Sequence, residues 1–358
     1  MIHFIFKFLS DRADTPFALA LHDLGVEHRI FSGRLRSLNY RHRIQLILFG
    51  FPRICLFAIR AVGWSLVKAR PRPDFIVVGS HIEALFFVLG RWLLRRQVKI
   101  IILTVIYTRR NYHWLEQLRR IYFNWLFAKI DQSFCYSRLE VSRYETLFPA
   151  AHGKFTYIPY GLHIEGADVS APFLDPTTAP ALSAGRSGRD YPLLFRVFAD
   201  SGYPLQVVCD SQSALTSCIS APNIEVLRDC YDADYSRALR QAGMVIVPLA
   251  VNDISAGQMV LIQAMAYRKP LIVTNTATVT DYLQHEVNAL LVEPGNEVVL
   301  RSAVDRLRAD PEFARYLANN GYQTYQERHS MRAYVGNIVD ATGVLGTTRE
   351  REITNVPL

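Results

Sequence analysis

The chain has 358 residues, half of them hydrophobic, with 40 Lys and Arg against 32 Asp and Glu. That length suits two domains of ~150 residues, each with a proper core, and excludes disorder as the main theme. The net charge of +8 is uneven: residues 1–165 hold 24 basic and 11 acidic side chains, residues 166–358 hold 16 and 21, and between Glu27 and Asp74 stand ten basic residues and no acid. One half therefore faces something anionic.

In chain order, MIHFIFKFLSDR reads as a buried strand (2–9), too short and too quickly polar for a signal peptide. A helix at 15–24 and a strand at 27–32 follow. Residues 40–69 read as helical, with a helix opening at Pro52. The apolar run 44–67 approaches a membrane span, but Pro52, Arg53 and Arg60 interrupt it, and a mid-span Arg costs ~2.5–3.5 kcal/mol. Arg53, Arg60 and Lys68 fall near one face beside Phe57 and Trp64. That pattern fits a helix lying on an anionic bilayer, and equally a core helix with a solvated basic edge. Strands are expected at 73–80, 98–107, 131–137 and 155–159, alternating with helices at 83–96, 112–129 and 138–147.

Residues 161–180, rich in Gly, Pro, Thr and Asp, read as a linker. The alternation then restarts. Strands are expected at 180–185, 205–210, 224–227, 243–249, 271–274 and 290–295, and helices at 189–201, 234–242, 258–267, 296–309, 311–320 and 331–342. Residues 344–358 read as a loose tail. The pattern predicts an α/β protein of two doubly wound parallel-sheet domains, 1–165 and 166–335, facing across a cleft, with a helix and tail at 336–358. Ligands in such sheets bind beyond the carboxyl ends of the strands. Cys55, Cys135, Cys209, Cys218 and Cys230 form no C-x-x-C pair, and their odd number suits a reduced, cytoplasmic setting. No metal-ligand cluster is visible.

Two stretches carry chemistry. In SAGRSGRDY (183–191) a strand ends at Gly185, and Arg186, Gly188 and Arg189 occupy the turn into a helix. That places backbone N–H groups and two guanidiniums at a helix N-terminus, a geometry suited to a diphosphate. In DISAGQMVLIQAMAYRKPLIVT (253–274) a helix opens at Ser255 or Gly257, where glycine permits close approach of a ligand. Met259, Ile262, Met265 and Ala266 give its apolar face, and Gln263 lies eight residues after Ser255. Each stretch alone is ordinary, a solvated turn and a buried helix. The pair, about 70 residues apart in this order, is not.

The second domain resembles the nucleotide-sugar-binding domain of retaining glycosyltransferases of family 4, which have the GT-B fold. The resemblance rests on Gly185-Arg186, on SAGQMVLIQAMAYRKPLI, on Val279-Thr280-Asp281-Tyr282, on the run from Asn288 to Gly295, and on residues 310–331. It covers roughly residues 131–335; the first 130 match in element order only. It implies a retaining sugar transferase using a nucleotide-diphosphate sugar. Arg186 falls on the family's diphosphate-binding Arg and Arg189 takes the place of its Lys. Ser255 stands for the Glu that touches the donor sugar, and Gln263 for the Glu that holds the ribose, each neutral but still able to hydrogen-bond. Gln258, with the N–H groups of Gly257, Gln258, Met259 and Val260, falls where sugar and phosphates are contacted. Tyr107 or Thr108 aligns with a sugar-contacting His, with His81 the nearest histidine, and Asp210 lies in a loop near the base.

The resemblance also implies that the leaving diphosphate takes the acceptor's proton, so that the protein mainly positions reactants and stabilises charge, with no metal and no cofactor required. Catalytic roles are expected for Arg186, Arg189, Ser255 and Tyr107. The expected acceptor is a lipid-linked saccharide in surface polysaccharide assembly. The chain is then peripheral at the cytoplasmic membrane face, held to anionic lipid through residues 28–73. A nucleotide-sugar epimerase or inactive GT-B partner is the alternative. A nucleic-acid binder fits the basic half but not the two stretches.

Overall fold

A computed structural model describes residues 1–7, 12–33, 49–108, 112–167, 173–250 and 256–343. The chain divides into two compact units, Met1–Ile158 with Val335–Leu358, and Pro159–Tyr334. The change of unit thus falls earlier than residue 165, and the chain rejoins the first unit within its last helix.

The first unit holds β1 (Ile2–Phe6), α1 (Pro16–Asp23), β2 (His28–Ser32), α2 (Phe51–Val62), β3 (Phe75–Val78), α3 (His81–Leu93), β4 (Lys99–Ile102), α4 (His113–Lys129), β5 (Gln132–Cys135), α5 (Arg138–Leu147) and β6 (Phe155–Tyr157). Its strands form one parallel sheet in the order β2-β1-β3-β4-β5-β6. β1 is buried at all five positions, and β3 and β4 carry near-continuous Val and Ile, as a sheet covered on both faces requires. Phe57 of α2, Phe87 of α3, Phe127 of α4 and Tyr144 of α5 pack with Ile76 and Ile100 in one core. The strand expected at 98–107 ends at Ile102. Leu103 N–H donates one last bond to the Val78 carbonyl, and beyond it neither neighbouring strand offers a partner. β-propensity in Thr104, Val105, Ile106 and Tyr107 gives way to the lack of a ladder.

Around the helix that opens beside Pro52, Arg53, Arg60 and Lys68 are exposed as expected. Phe57, by contrast, is buried, and Trp64 packs against His3 and Phe31. A π-helical stretch, Gly63–Lys68, follows α2 and shifts the face on which its residues lie. The apolar side chains this segment leaves exposed are Phe51, Leu56, Ile59 and Val67. No helix among the described residues is long and apolar enough to cross a membrane.

The second unit holds β7 (Ala181–Ala184), α6 (Tyr191–Ala199), β8 (Leu205–Val208), α7 (Gln212–Leu215), β9 (Ile224–Leu227), α8 (Asp232–Gln241), β10 (Met244–Val247), α9 (Gln258–Ala266), β11 (Leu271–Thr274), β12 (Leu290–Val292), α10 (Glu297–Ala309) and α11 (Pro311–Thr324). α12 (Met331–Thr342) runs across the change of unit. Its parallel sheet has the order β12-β11-β10-β7-β8-β9, so β7, the first strand, lies in the middle beside β10. That adjacency brings the turn after β7 and the loop after β10 to the same end of the sheet. Side-chain caps fix the helix starts: Asp190, Asn296 and Asp310 accept from the N–H groups of Leu193, Val299 and Phe313.

His329 is fully buried, its Nδ1 2.8 Å from the Tyr160 carbonyl and its ring stacked on Tyr282. Burial pulls its pKa from 6.5 down to about 4. Such a histidine takes a proton more readily unfolded than folded. Its contribution is therefore whole above pH 6.5 and is lost as the pH falls towards 4. A shift of that size is worth about 3 kcal/mol. Urea unfolding at pH 7.5 and pH 4.5 should show His329→Gln losing about 2–3 kcal/mol less on acidification than the parent. Equal losses in both proteins contradict the assignment.

Candidate functional site

β7 ends just before Gly185, whose φ of +129° belongs to a region open to glycine alone. The fully buried Tyr191, first residue of α6, donates from its hydroxyl to the Gly185 carbonyl at 2.7 Å. Gly188 also has positive φ, and the turn is tied to the strand end after β10. Asp190 N–H donates to the Pro248 carbonyl, and Ala250 N–H to the Gly188 carbonyl, at 2.9 and 3.0 Å.

Arg189 folds back under this turn. Its Nε donates to the Ala184 carbonyl at 2.9 Å and its Nη1 to the Ser187 carbonyl at 3.1 Å. The guanidinium fills the space beside Gly185: a Cβ there would lie 2.6 Å from Nη2. It also reaches the second stretch, since a Cβ on Gly257 would lie 3.7 Å from the same Nη2. Gly257 caps α9 with φ +90° and packs on Val247 and Leu249. The two stretches that the sequence singled out therefore meet at one guanidinium. Burial lowers the pKa of Arg189, yet an arginine stays charged. Its neighbours include carbonyls, the phenols of Tyr191 and Tyr235 and the Cys209 thiol, and among the described residues no carboxylate pairs with it.

Arg186 is exposed at the tip of the turn, near enough to Asp210 to help hold that carboxyl low. Asp210 accepts from the Tyr231 hydroxyl and from the Asp229 N–H at 2.8 Å, the causes that lower its pKa most. It thus links the loop after β8 to the loop after β9.

At the start of α9, Gln258 is half-buried and Val260 buried, whereas Met259, expected on the apolar face, is 54% exposed. The core-facing row is instead Leu261, Ile262, Ala264, Met265 and Ala266, because the helix opens at Gly257 in the first turn and lies between strands for the rest. Gln263 accepts from the Tyr235 hydroxyl at 3.2 Å. Tyr235, its own pKa raised by burial and lowered again by the charge on Arg189, stands near both residues. Sequence reasoning missed Tyr235, because nothing in DADYSRALRQ marks it beyond its place on α8. Ser255 lies outside the described residues.

In the first unit, Lys7, Ser80, His81 and the Tyr107–Thr108 segment follow the carboxyl ends of β1, β3 and β4. Lys7 pairs with the fully buried Glu83 at 3.2 Å, and both touch Ser80. His81 opens α3; burial first, then the charges of Lys7 and Arg119, push its pKa down to about 4, so it is neutral at pH 7. Thr108 is exposed, and its carbonyl accepts from Arg119 at 2.8 Å. Tyr107 is a core residue. It is 1% exposed, edge-on to Phe123 and Phe148, and donates to Glu116 at 2.7 Å; its pKa is pushed up to about 12 by burial and then by that bond. Its hydroxyl is thus already engaged. Among the described residues no three His, Cys, Asp or Glu side chains converge as metal ligands.

Known proteins resemble this chain in part of its sequence and in its fold. Residues 214–324 match the family described as glycosyl transferases group 1. An uncharacterized glycosyltransferase of Methanocaldococcus jannaschii is 29% identical over 91 residues, 25% of this chain and 23% of that protein's length. The sucrose-phosphate synthase of Thermosynechococcus elongatus superposes with a TM-score of 0.66 at 17% identity, over 97% of this chain and 99% of that one. HepE of Anabaena, solved with UDP, superposes with a TM-score of 0.62 at 12% identity, over 96% and 99%. At those identities the structures speak for the fold, which is GT-B, and the group 1 family match is confined to residues 214–324, about a third of the chain.

Gly185→Ala forces a Cβ both into a glycine-only conformation and against Arg189. It should cost about 1–3 kcal/mol for the backbone strain and more for the displaced guanidinium. Gly202→Ala, with φ +67° and open space around it, bears the backbone term alone. Chemical denaturation should show Gly185→Ala losing clearly more stability; equal losses refute the packing of Arg189 at this turn.

Proposed function

We propose that the chain is a retaining glycosyltransferase that moves a sugar from a nucleoside-diphosphate sugar to a lipid-linked saccharide in surface polysaccharide assembly. The observation that carries the donor half of this reading is Arg189. A partly buried guanidinium that, among the described residues, is held by carbonyls and paired with no carboxylate, with a glycine on either side and a helix N-terminus beside it, suits an anionic ligand. A diphosphate supplies one and accepts from the fork of the guanidinium.

In this reading Arg186 and the N–H groups at the start of α9 take the remaining phosphate oxygens, with Ser255 beside them. Gln258 and Met259 flank the sugar. Gln263, oriented by Tyr235, holds the ribose hydroxyls. Asp210 shapes the base pocket by fixing the Asp229–Tyr231 loop. As the C1–O bond to the diphosphate breaks, the acceptor oxygen bonds C1 from the same face and its proton passes to the departing phosphate oxygen. The protein then needs no carboxylate base, consistent with neutral Gln263 and Ser255, and no resident metal, because cations and helix N–H groups meet the developing charge. Neutral His81 and exposed Thr108 are the acceptor-side candidates. Tyr107 positions them from the core.

The acid-free basic stretch 28–73 supports a peripheral place at the cytoplasmic membrane face. UDP, bound by the Anabaena neighbour, is the first donor nucleotide to test.

Incubation with a panel of nucleotide sugars should release nucleoside diphosphate only when membrane extract is added, with the anomeric configuration of the sugar retained. Arg186→Ala should raise the donor KM about tenfold, the lower end of a charged hydrogen bond's ~1.5–3 kcal/mol at an exposed site. An epimerised donor formed without acceptor, or no turnover with any donor, contradicts the proposal.

A further inference from the structure

Helices α2, α3 and α4 cover one face of the first sheet and bury Phe57, Phe87 and Phe127 beneath them. The outward side of such a helix is ordinarily polar. Here it is apolar. On α4, Trp114, Leu118, Ile121 and Trp125 recur at intervals of four, three and four, a single stripe, and are 65%, 56%, 68% and 41% exposed. On α3, Trp92 and Leu93 are 77% and 73% exposed, with Leu89 a turn earlier. On α2, Leu56 and Ile59 are exposed as well.

These side chains form one surface. α2 and α3 cross closely at Gly90, where a Cβ would lie 2.7 Å from Val62, and a hollow of about 240 Å³ between them is lined by Ile59, Leu89 and Trp92. A larger groove of about 1020 Å³ has Leu89, Trp92 and Trp125 among its lining residues, so it joins α3 to α4. It opens beside Phe75 and Lys99, at the amino ends of β3 and β4. This is the end of the sheet opposite Ser80, His81 and Tyr107, so it is separate from the acceptor-side candidates.

The charge around this surface is mostly positive. Residues 51–131 carry fourteen Lys and Arg and four acids. Each acid is engaged: Asp74 with the N-terminal ammonium, Glu83 with Lys7, Glu116 with Tyr107 and Arg119, and Asp131, at the groove, with Arg91. Arg95, Arg96 and Lys99 rim the groove, and the Arg96 Nε is buried without a hydrogen-bond partner. An exposed apolar face bearing three Trp residues, whose rings suit a boundary between oil and water, with Arg95, Arg96 and Lys99 at its rim and the nearby acids Asp74 and Asp131 already paired, complements an anionic lipid surface.

We propose that the outer face of α2, α3 and α4 docks the first unit on an anionic bilayer, with Trp92, Leu118 and Ile121 among the acyl chains and a lipid phosphate at Arg95, Arg96 and Lys99. The proposal rests on the membrane part of the functional reading and deepens it. The anchor is this three-helix face, much of it outside 28–73, and not a single basic helix.

Flotation with vesicles of phosphatidylcholine alone, and of phosphatidylcholine with 30 mol% phosphatidylglycerol (roughly the anionic content that gives a surface potential of the needed sign), tests it. The intact chain should float with the anionic vesicles at least tenfold more tightly than with neutral ones. The triple variant Trp92→Ser, Leu118→Ser, Ile121→Ser changes exposed positions and should reduce binding at least tenfold while leaving nucleotide binding unchanged. The triple variant Arg95→Gln, Arg96→Gln, Lys99→Gln should weaken binding to anionic vesicles about a hundredfold, at about fivefold per cation near such a surface, with little change on neutral ones. Brominated lipid should quench tryptophan fluorescence in the parent and much less in Trp92→Phe. Binding unaltered by either triple variant overturns the proposal. So does a chain that ignores vesicles but dissociates from dimer to monomer with the Ser variant, which makes the face an interface between copies. Vesicle binding without any nucleotide binding removes the donor reading and leaves this one standing.

Discussion

The second unit is organised around one cation. Arg189 is placed by the chain's own carbonyls, at Ala184 and Ser187, and by two backbone conformations that only glycine adopts comfortably, at Gly185 and Gly257. Removing a guanidinium from water costs several kcal/mol unless hydrogen bonds and an opposite charge restore what is lost. The fold supplies the hydrogen bonds, and among the described residues no acid. The sheet order explains how this is possible. β7 and β10 are neighbours in the middle of the sheet, so the turn after one and the helix after the other converge at its carboxyl end. Rigid strands thus hold both halves of the cradle, and the loop after β8 is tied to the loop after β9 through Asp210.

Much of this was legible in the sequence, for physical reasons. Buried parallel strands are short runs of Val, Ile and Leu, so LIVT and IEVL were placed at the residues they occupy. Glycine before a helix and arginine after a strand are visible in the chain, so Arg189 and Gly257, which the structure brings to one place, are legible as a pair. Side-chain direction was not. Met259 is exposed where the apolar periodicity puts it inside, because one residue of helical start rotates a face by about 100°, and Phe57, beside the basic stripe in the sequence, is buried, as the core-helix alternative has it. Tyr107 looked like a site residue by alignment alone, yet its ring belongs to the core and its hydroxyl to Glu116. Tyr235 was illegible because its role depends on where α8 packs and not on its neighbours in the chain.

The uneven charge noted at the outset acquires a structural meaning. In the second unit Arg186 and Arg189 stand together at the turn after β7. In the first unit cations outnumber acids beside an apolar surface formed by three helices of one sheet face, and the acids of the same region, Asp131 included, are held in pairs. The carboxyl end of that sheet carries a different set of groups, with neutral His81 beside a Lys7–Glu83 pair. One end of the unit thus gathers polar side chains, and the helical face presents apolar ones.

The most direct measurement is titration calorimetry of nucleoside diphosphate, uridine first, against the parent chain and Arg189→Met, with the fold of each checked by circular dichroism. Arg189→Met should retain the folded signal and lose about ten- to hundredfold in affinity, the worth of a charged hydrogen bond in a partly buried site. It should bind the nucleoside without phosphates as the parent does. Equal diphosphate affinity in the two proteins would mean that the anion sits elsewhere, and the placement of the donor at this turn would be wrong.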